Sequence, residues 1–161
     1  MNIQKHYESV YKFNDIAGNL SYVDVASIEA QIKIIKEEVG ELDYACGSEN
    51  ATELLDGACD AFVTVVGLLQ KMEKAGFKVD EALTIVNENN LNKFPKTISN
   101  AELDAYTWNL WSVKYNKHHD CFVLKDDNDK IRKPAGFVSV DLMDCLPSDF
   151  FGWNNRFGGE V

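Results

Sequence analysis

The sequence predicts an all-α protein, a bundle of four to five helices with a small C-terminal β-hairpin and an irregular tail. Apolar residues recur at about 100° per residue through most of the first 95 positions. Gly18, Gly47, Gly76 and Pro95 interrupt that pattern at helix-length intervals. Alternation with a period of two follows later, on both sides of an acidic turn in "CFVLKDDNDKIRKP".

The elements follow in order. Ile3, Val10, Phe13 and Ile16 form a rough helical stripe that stops at Gly18. Asp24 or Ser27 caps the second helix, whose stripe of Ile28, Ile32, Ile35, Val39, Leu42 and Cys46 ends at Gly47. "SENAT" starts a long third helix running to about Gly76, and a fourth begins near Val79 or Asp80 and is shut off by Pro95. Ser99 opens a polar-aromatic helix on which Trp108, Trp111 and Tyr115 are spaced i, i+3, i+7, a packing stripe or subunit contact. The chain thus divides into a helical core at 1–95, an additional helix at 99–118, a hairpin extension at 120–142 and a tail at 143–161. No repeat or long linker separates these parts, so a single domain over 1–161 is expected.

Composition narrows the function. A formal net charge of −10 argues against a nucleic-acid groove, which needs an excess of Lys and Arg. It leaves room for a nucleotide, because a divalent cation can bridge acidic side chains and phosphates. The N-terminus lacks the apolar core of a signal peptide, and no run approaches the roughly 18 apolar residues of a membrane span. Cys46, Cys59, Cys121 and Cys145 show no CxxC spacing and read as reduced, mostly buried thiols of a cytoplasmic protein.

Two acidic clusters stand out. "KIIKEEVGELDYA" carries Glu37, Glu38 and Glu41; Ile34 and Ala45 point the same way as Glu38 and Glu41, so that face is expected to be covered, while Glu37 projects furthest from the apolar stripe. On the third helix Glu53, Asp56 and Asp60 lie at i, i+3 and i+7, within about 60° of one another, in the one sector its apolar residues leave open. A helix apolar over so wide an arc should be buried among several neighbours. Packed antiparallel through the connector at 47–50, the two helices would bring their acids face to face. An all-oxygen cage of this kind suits a hard divalent cation such as Mg²⁺ or Mn²⁺. A solvated acidic face or an ion-pair network is the competing explanation, and the two clusters taken together favour metal binding over it.

"EEVGE" (37–41), "ELLDGACDAFVTVVG" (53–67), "VNENNLNKF" (86–94) and "KIRKPAGFVSVDL" (130–142) together resemble the all-α nucleoside triphosphate pyrophosphohydrolases. That superfamily includes MazG-like and phosphoribosyl-ATP pyrophosphohydrolase-like proteins, and the KPxGF ending looks like that of phage-encoded members. The resemblance implies that residues 1–95 are the catalytic core of a homodimer or dimer-of-dimers homotetramer with active sites at the dimer contact. The implied reaction is Mg²⁺- or Mn²⁺-dependent hydrolysis of a (deoxy)nucleoside triphosphate, such as dGTP in a phage and its host cytoplasm, to monophosphate and pyrophosphate. Glu37, Glu38, Glu41 and Asp60 match its metal-binding acids. Where the motif wants Glu three residues before Asp60, this chain has Gly57; Asp56, one turn before Asp60, takes that role, with Glu53 as a ligand or a partner of one.

Glu37 or Glu38 would take the proton of the attacking water. Asn87, Asn90 and Lys93, at intervals of three on the fourth helix, can bind sugar or phosphate, and Lys133 can reach phosphate from the hairpin. Phe13 and Asn14 align with the base-contacting segment that the resemblance implies. "DDNDK" lacks the glycine and distal glutamate of an EF-hand and reads as a turn, and His118 and His119 read as loop residues. The competing readings are phosphoribosyl-ATP hydrolysis, and a non-catalytic helical oligomerisation module whose acids only neutralise one another or bind a structural metal.

Overall fold

A computed structural model describes residues 1–97, 112–134 and 136–148. It is mostly α-helical, with a two-stranded antiparallel sheet. Helices α1 (Ile3–Ile16), α2 (Val25–Gly47), α3 (Ala51–Lys74) and α4 (Val79–Leu91) are followed by strands β1 (Ser112–Asn116) and β2 (Cys121–Lys125) and a 3-10 turn at Met143–Cys145. The chain clusters into two compact units, Met1–Val79 with the segment from Cys145 onward, and Asp80–Asp144. No helix among the described residues is long and apolar enough to cross a membrane.

In the first unit the caps sit where the sequence signals them. Asp24 and Ser27 form a reciprocal capping box at the start of α2, with each side chain bonded to the other residue's backbone N–H. Asn50 caps α3 by accepting from Thr52 and Glu53 N–H groups. Between these helices the left-handed residue is Glu49, at φ 57°. The helices run antiparallel, because partners far along α2 meet residues early in α3. Leu42 lies against Gly57, Gln31 against Thr64 and Gly67, and Ser27 against Lys71.

This seam differs from the expected apolar stripe. Buried α2 residues are Val25, Ile28, Gln31 and Ala45, while Val39 is 50% exposed and Cys46 is exposed. The buried face is rotated towards Glu38 and away from Val39. Hydropathy could not mark it, because several of the buried positions are small or polar: Gln31 and Ala45 on α2, Gly57, Gly67 and Gln70 on α3. Nor is α3 enclosed as expected. Leu55 is 68% exposed, and Leu54, Val63 and Val65 are also exposed.

A polar network fastens α1 to α3. Asn14 Nδ2 donates to Gln70 Oε1 at 3.2 Å, Gln70 Nε2 donates to the Tyr7 carbonyl at 3.0 Å, and Asn19 Nδ2 donates to Asn14 Oδ1 at 3.0 Å. Tyr7 also donates its hydroxyl to Glu73. Every buried side-chain polar atom among the described residues has a partner, so the network need not carry the cost of unsatisfied groups.

In the second unit, β1 and β2 pair in register from Ser112↔Lys125 to Asn116↔Cys121. The regular partner of "CFVLK" is therefore upstream, not beyond the acidic turn. Of the expected pairing there remain a bridge, Lys125↔Ile131, and the bonds Asp126 N–H to Lys130 O and Arg132 N–H to Leu124 O. Pro134, which has no N–H, limits that strand. Within the helix expected over 99–118, Ser112–Asn116 is instead strand, and Tyr115 pairs with Phe122 across the sheet. The earlier part of that stretch, with Trp108 and Trp111, lies outside the described residues, as do positions 149–161 of the tail. His118 and His119 lie in the turn between the strands. All four cysteines are free; Cys121 and Cys145 are buried, but Cys46 and Cys59 are exposed, contrary to the expectation of mostly buried thiols.

One buried charge in the first unit yields a stability prediction. Lys71 is 6% exposed, its Nζ donates to the Ser27 carbonyl at 3.3 Å, and burial lowers its pKa below the usual lysine value. The unfolded chain therefore holds this proton to higher pH than the native one. The cost to stability is fully present at neutral pH and is relieved as pH rises towards about 10.4. Lys71→Met keeps the packing stem and should raise unfolding stability at pH 7 by roughly 1 kcal/mol. In urea titrations at pH 7 and pH 9.5, the alkaline gain of the parent should shrink in the variant; an identical gain in both would refute the assignment.

Candidate acidic site

The antiparallel α2–α3 pair opens a cleft of about 780 Å³ at the end nearest its connection. Glu37 and Glu41 line it from α2, and Glu53, Asp56 and Asp60 from α3. No lysine or arginine is among its lining residues. Glu38 sits half-buried beside the cleft. Desolvation raises its pKa, and Glu41, Asp60, Glu37 and Asp56 push it further in that order. Glu38 therefore lies within electrostatic reach of both clusters.

The expectation that this acidic face is covered does not hold for its neighbours. Glu37, Glu41, Glu53, Asp56 and Asp60 are all exposed in the single chain. The seam passes through the level of Glu38 and leaves the other five ringing an open space. Burial thus demands a counter-charge only near Glu38. As the side chains stand, no three carboxylate, imidazole or thiol groups among the described residues converge tightly enough to grip one ion. The donor set nevertheless fits a hard divalent cation, because it is all oxygen and no ammonium or guanidinium among the described residues forms a salt bridge with it.

Gly57 explains the departure from the expected acidic motif. A Cβ at this position would lie 3.1 Å from Leu42 Cα and 3.3 Å from Leu42 Cβ. The chain has glycine here because the α2 backbone lies too close for a Cβ, and Asp56 next to it lines the cleft. Sequence reasoning also missed Asn50 and Tyr44 as lining residues. Their signals were present: Asn50 is the cap before the third helix, and Tyr44 follows Glu41 by three positions on the same helix face.

The other candidate residues are not gathered in this cleft. Asn14 is buried, and its side chain is engaged by Gln70 and Asn19. Phe13 is exposed on α1. Asn87 and Asn90 are exposed residues of α4 in the second unit. There Asn90 Oδ1 accepts from Lys93 Nζ at 2.7 Å, and Lys93 and Lys133 line a separate cavity. No protein-family model, curated protein or solved structure matches the chain. The meaning of the cleft therefore rests on its own residues.

Gly40 and Gly57 both line the cleft but should respond to alanine with opposite signs. A Cβ on Gly40 meets nothing within 4 Å, so Gly40→Ala should stabilise by the helix-propensity gain of about 0.5–1 kcal/mol. The same gain at Gly57 is opposed by a backbone clash costing about 1–3 kcal/mol, and Gly57→Ala should lower the melting temperature. Thermal unfolding of the two variants checks this. Shifts in the same direction would show that the helices are not held apart by a single Cβ at Gly57.

Proposed function

We propose that the acidic cleft binds Mg²⁺ or Mn²⁺ and hydrolyses a (deoxy)nucleoside triphosphate to its monophosphate and pyrophosphate. The observation that carries this reading is the cleft itself, in which five carboxylates from two antiparallel helices face one space with no basic residue in its lining. The motif resemblance to the all-α nucleoside triphosphate pyrophosphohydrolases supplies the substrate class and the helical-bundle type.

Glu41, Asp56 and Asp60 would hold the cation, with Glu37 and Glu38 completing the set and Glu53 at its edge. Bound there, it would neutralise the polyphosphate and make a water more acidic. Glu37 or Glu38 would accept the proton of the attacking water as its oxygen bonds to phosphorus. The P–O bond to the pyrophosphate leaving group breaks, and the two new ends are the monophosphate and pyrophosphate. The acids cannot stabilise the anionic substrate by themselves, so turnover requires the cation.

The test is chromatography of products from a panel of dNTPs, NTPs and dUTP with Mg²⁺ and then Mn²⁺. Monophosphate and pyrophosphate should appear for a subset of bases. Glu41→Gln should reduce the rate by more than about 100-fold, because even the outer partners of metal ligands are worth roughly 10–100-fold. No turnover of any nucleoside triphosphate by folded protein that binds the cation would overturn the proposal; turnover of phosphoribosyl-ATP would then favour that competing reaction, and its absence a structural metal cluster.

We also read the exposed apolar stripe of α3 as a self-association surface. Leu55, Cys59 and Val63 recur at i, i+4 and i+8, and all three are exposed in the single chain. Leu55→Glu should leave the monomer fold intact and shift the protein from a dimer or tetramer to a smaller species in light scattering. An unchanged mass would place association elsewhere.

A further inference from the structure

We propose that the second unit carries a metal-independent pocket for a phosphate or pyrophosphate oxyanion, formed by Lys93, Lys130 and Lys133 with Arg132 in its wall. The pocket is a cavity of about 240 Å³ lined by these four residues and Ile131. In a chain of net charge −10, a concave surface with four cationic residues and no acidic lining residue is a local reversal of sign.

Local structure holds the cations together. Lys93 lies just beyond α4, where the Pro95 carbonyl accepts from Phe122 N–H at 2.8 Å and so ties this segment to β2. Beyond β2, the Lys125↔Ile131 bridge and the 3.0 Å bond from Arg132 N–H to Leu124 O fix the other wall. Asp126 secures the intervening turn: its Oδ1 accepts from the N–H groups of Asn128 and Lys130, and its Oδ2 lies 3.5 Å from Arg132 Nη1. Leu124, fully buried, anchors β2 between the walls.

Arg132 is paired with Asp126, but the three lysine heads are not neutralised by a carboxylate among the described residues. Lys93 Nζ is held by the neutral amide oxygen of Asn90 at 2.7 Å, and Lys133 Nζ lies 5.0 Å from the centre of the Phe137 ring. Among the described residues, neither these two lysines nor Lys130 forms a salt bridge with a carboxylate. Lysines lining one small cavity repel one another, and an anion held there would remove that repulsion while accepting their N–H bonds. Lysine is suited to phosphate as a mobile point charge. The volume is below the roughly 300–1,000 Å³ of ordinary small-molecule pockets, so it suits one or two phosphate groups rather than a whole nucleotide.

This pocket does not depend on the reading of the acidic cleft, and its test needs neither metal nor turnover. Pyrophosphate is titrated into the full chain by calorimetry in EDTA at low salt. The parent protein should bind, and Lys93→Gln with Lys130→Gln should weaken binding by at least about tenfold. Lys114→Gln with Lys117→Gln, which makes the same change in net charge outside the pocket, should leave the affinity within about twofold. Circular dichroism checks that each variant is folded.

A dNTP that competes with pyrophosphate in EDTA would identify the source as a nucleotide's polyphosphate tail. Pyrophosphate binding without competition would identify the free ion; both results uphold the pocket. Absence of metal-free binding, or equal weakening by the two double variants, overturns it. So does loss of metal-free binding in Glu41→Gln, which would place the anion at the acidic cleft.

Discussion

A glycine at position 57 lets two helix backbones approach where any other residue would hold them apart, and the architecture of the first unit follows from that contact. With a prospective Cβ only 3.1 Å from Leu42 Cα, α2 and α3 meet along the face that contains Gln31, Leu42 and Ala45. That choice of face sets Glu38 half-buried beside the seam and leaves Glu37 and Glu41 opposite Asp56 and Asp60 across one cleft. It also turns Val39 and Leu55 towards water. The acidic space and the exposed apolar surface are two consequences of the same packing decision.

Close approach has to be matched by polar order further along the bundle. At Gly67 a Cβ would fall 3.3 Å from both Asn14 Nδ2 and Gln31 Nε2, so the second glycine makes room for amides rather than for aliphatic side chains. Gln31 then donates to the Thr64 carbonyl, and Asn14 and Gln70 join α1 to α3. Buried amides specify register, because slipping by one turn would leave several of them unpaired in a medium where each costs about 1–3 kcal/mol. Apolar contacts alone would be more forgiving.

This division explains what could be read from the sequence. Helix limits were legible because they depend on local chemistry: Asp24 and Ser27, Asn50, Gly18 and Pro95 act through their own backbone neighbourhoods. The spacing of Glu53, Asp56 and Asp60 was likewise a property of one helix, and the cleft does contain all three. The seam was not legible, because it is a relation between helices and its markers are Gly57, Gly67 and Gln31 rather than the larger apolar residues. The hairpin shows the same limit. "CFVLK" was readable as a strand, but its choice of Ser112–Asn116 over the segment after the acidic turn is a tertiary outcome. The meeting of Lys93 with Lys130, Arg132 and Lys133 around one cavity of the second unit also has no one-dimensional signature.

The distribution of cations bears on whether the acids serve one another or a ligand. A self-neutralising ion-pair cluster would place lysines or arginines among the carboxylates, where opposite charges a few ångströms apart stabilise both. Here the buried lysine of the bundle, Lys71, is at the other end of the seam. Its partner Ser27 precedes Glu37 by ten positions on α2, about 15 Å along the helix axis and beyond the reach of a side-chain pair. Two ion pairs among the described residues join Lys125 to Asp129 and Arg132 to Asp126, around the hairpin. No ammonium or guanidinium group is among the cleft's lining residues to relieve repulsion among its acids, and Glu38 feels four of its acidic neighbours. The proposed cation would relieve that repulsion by placing positive charge among the carboxylates. That is the physical reason to expect a ligand in the cleft.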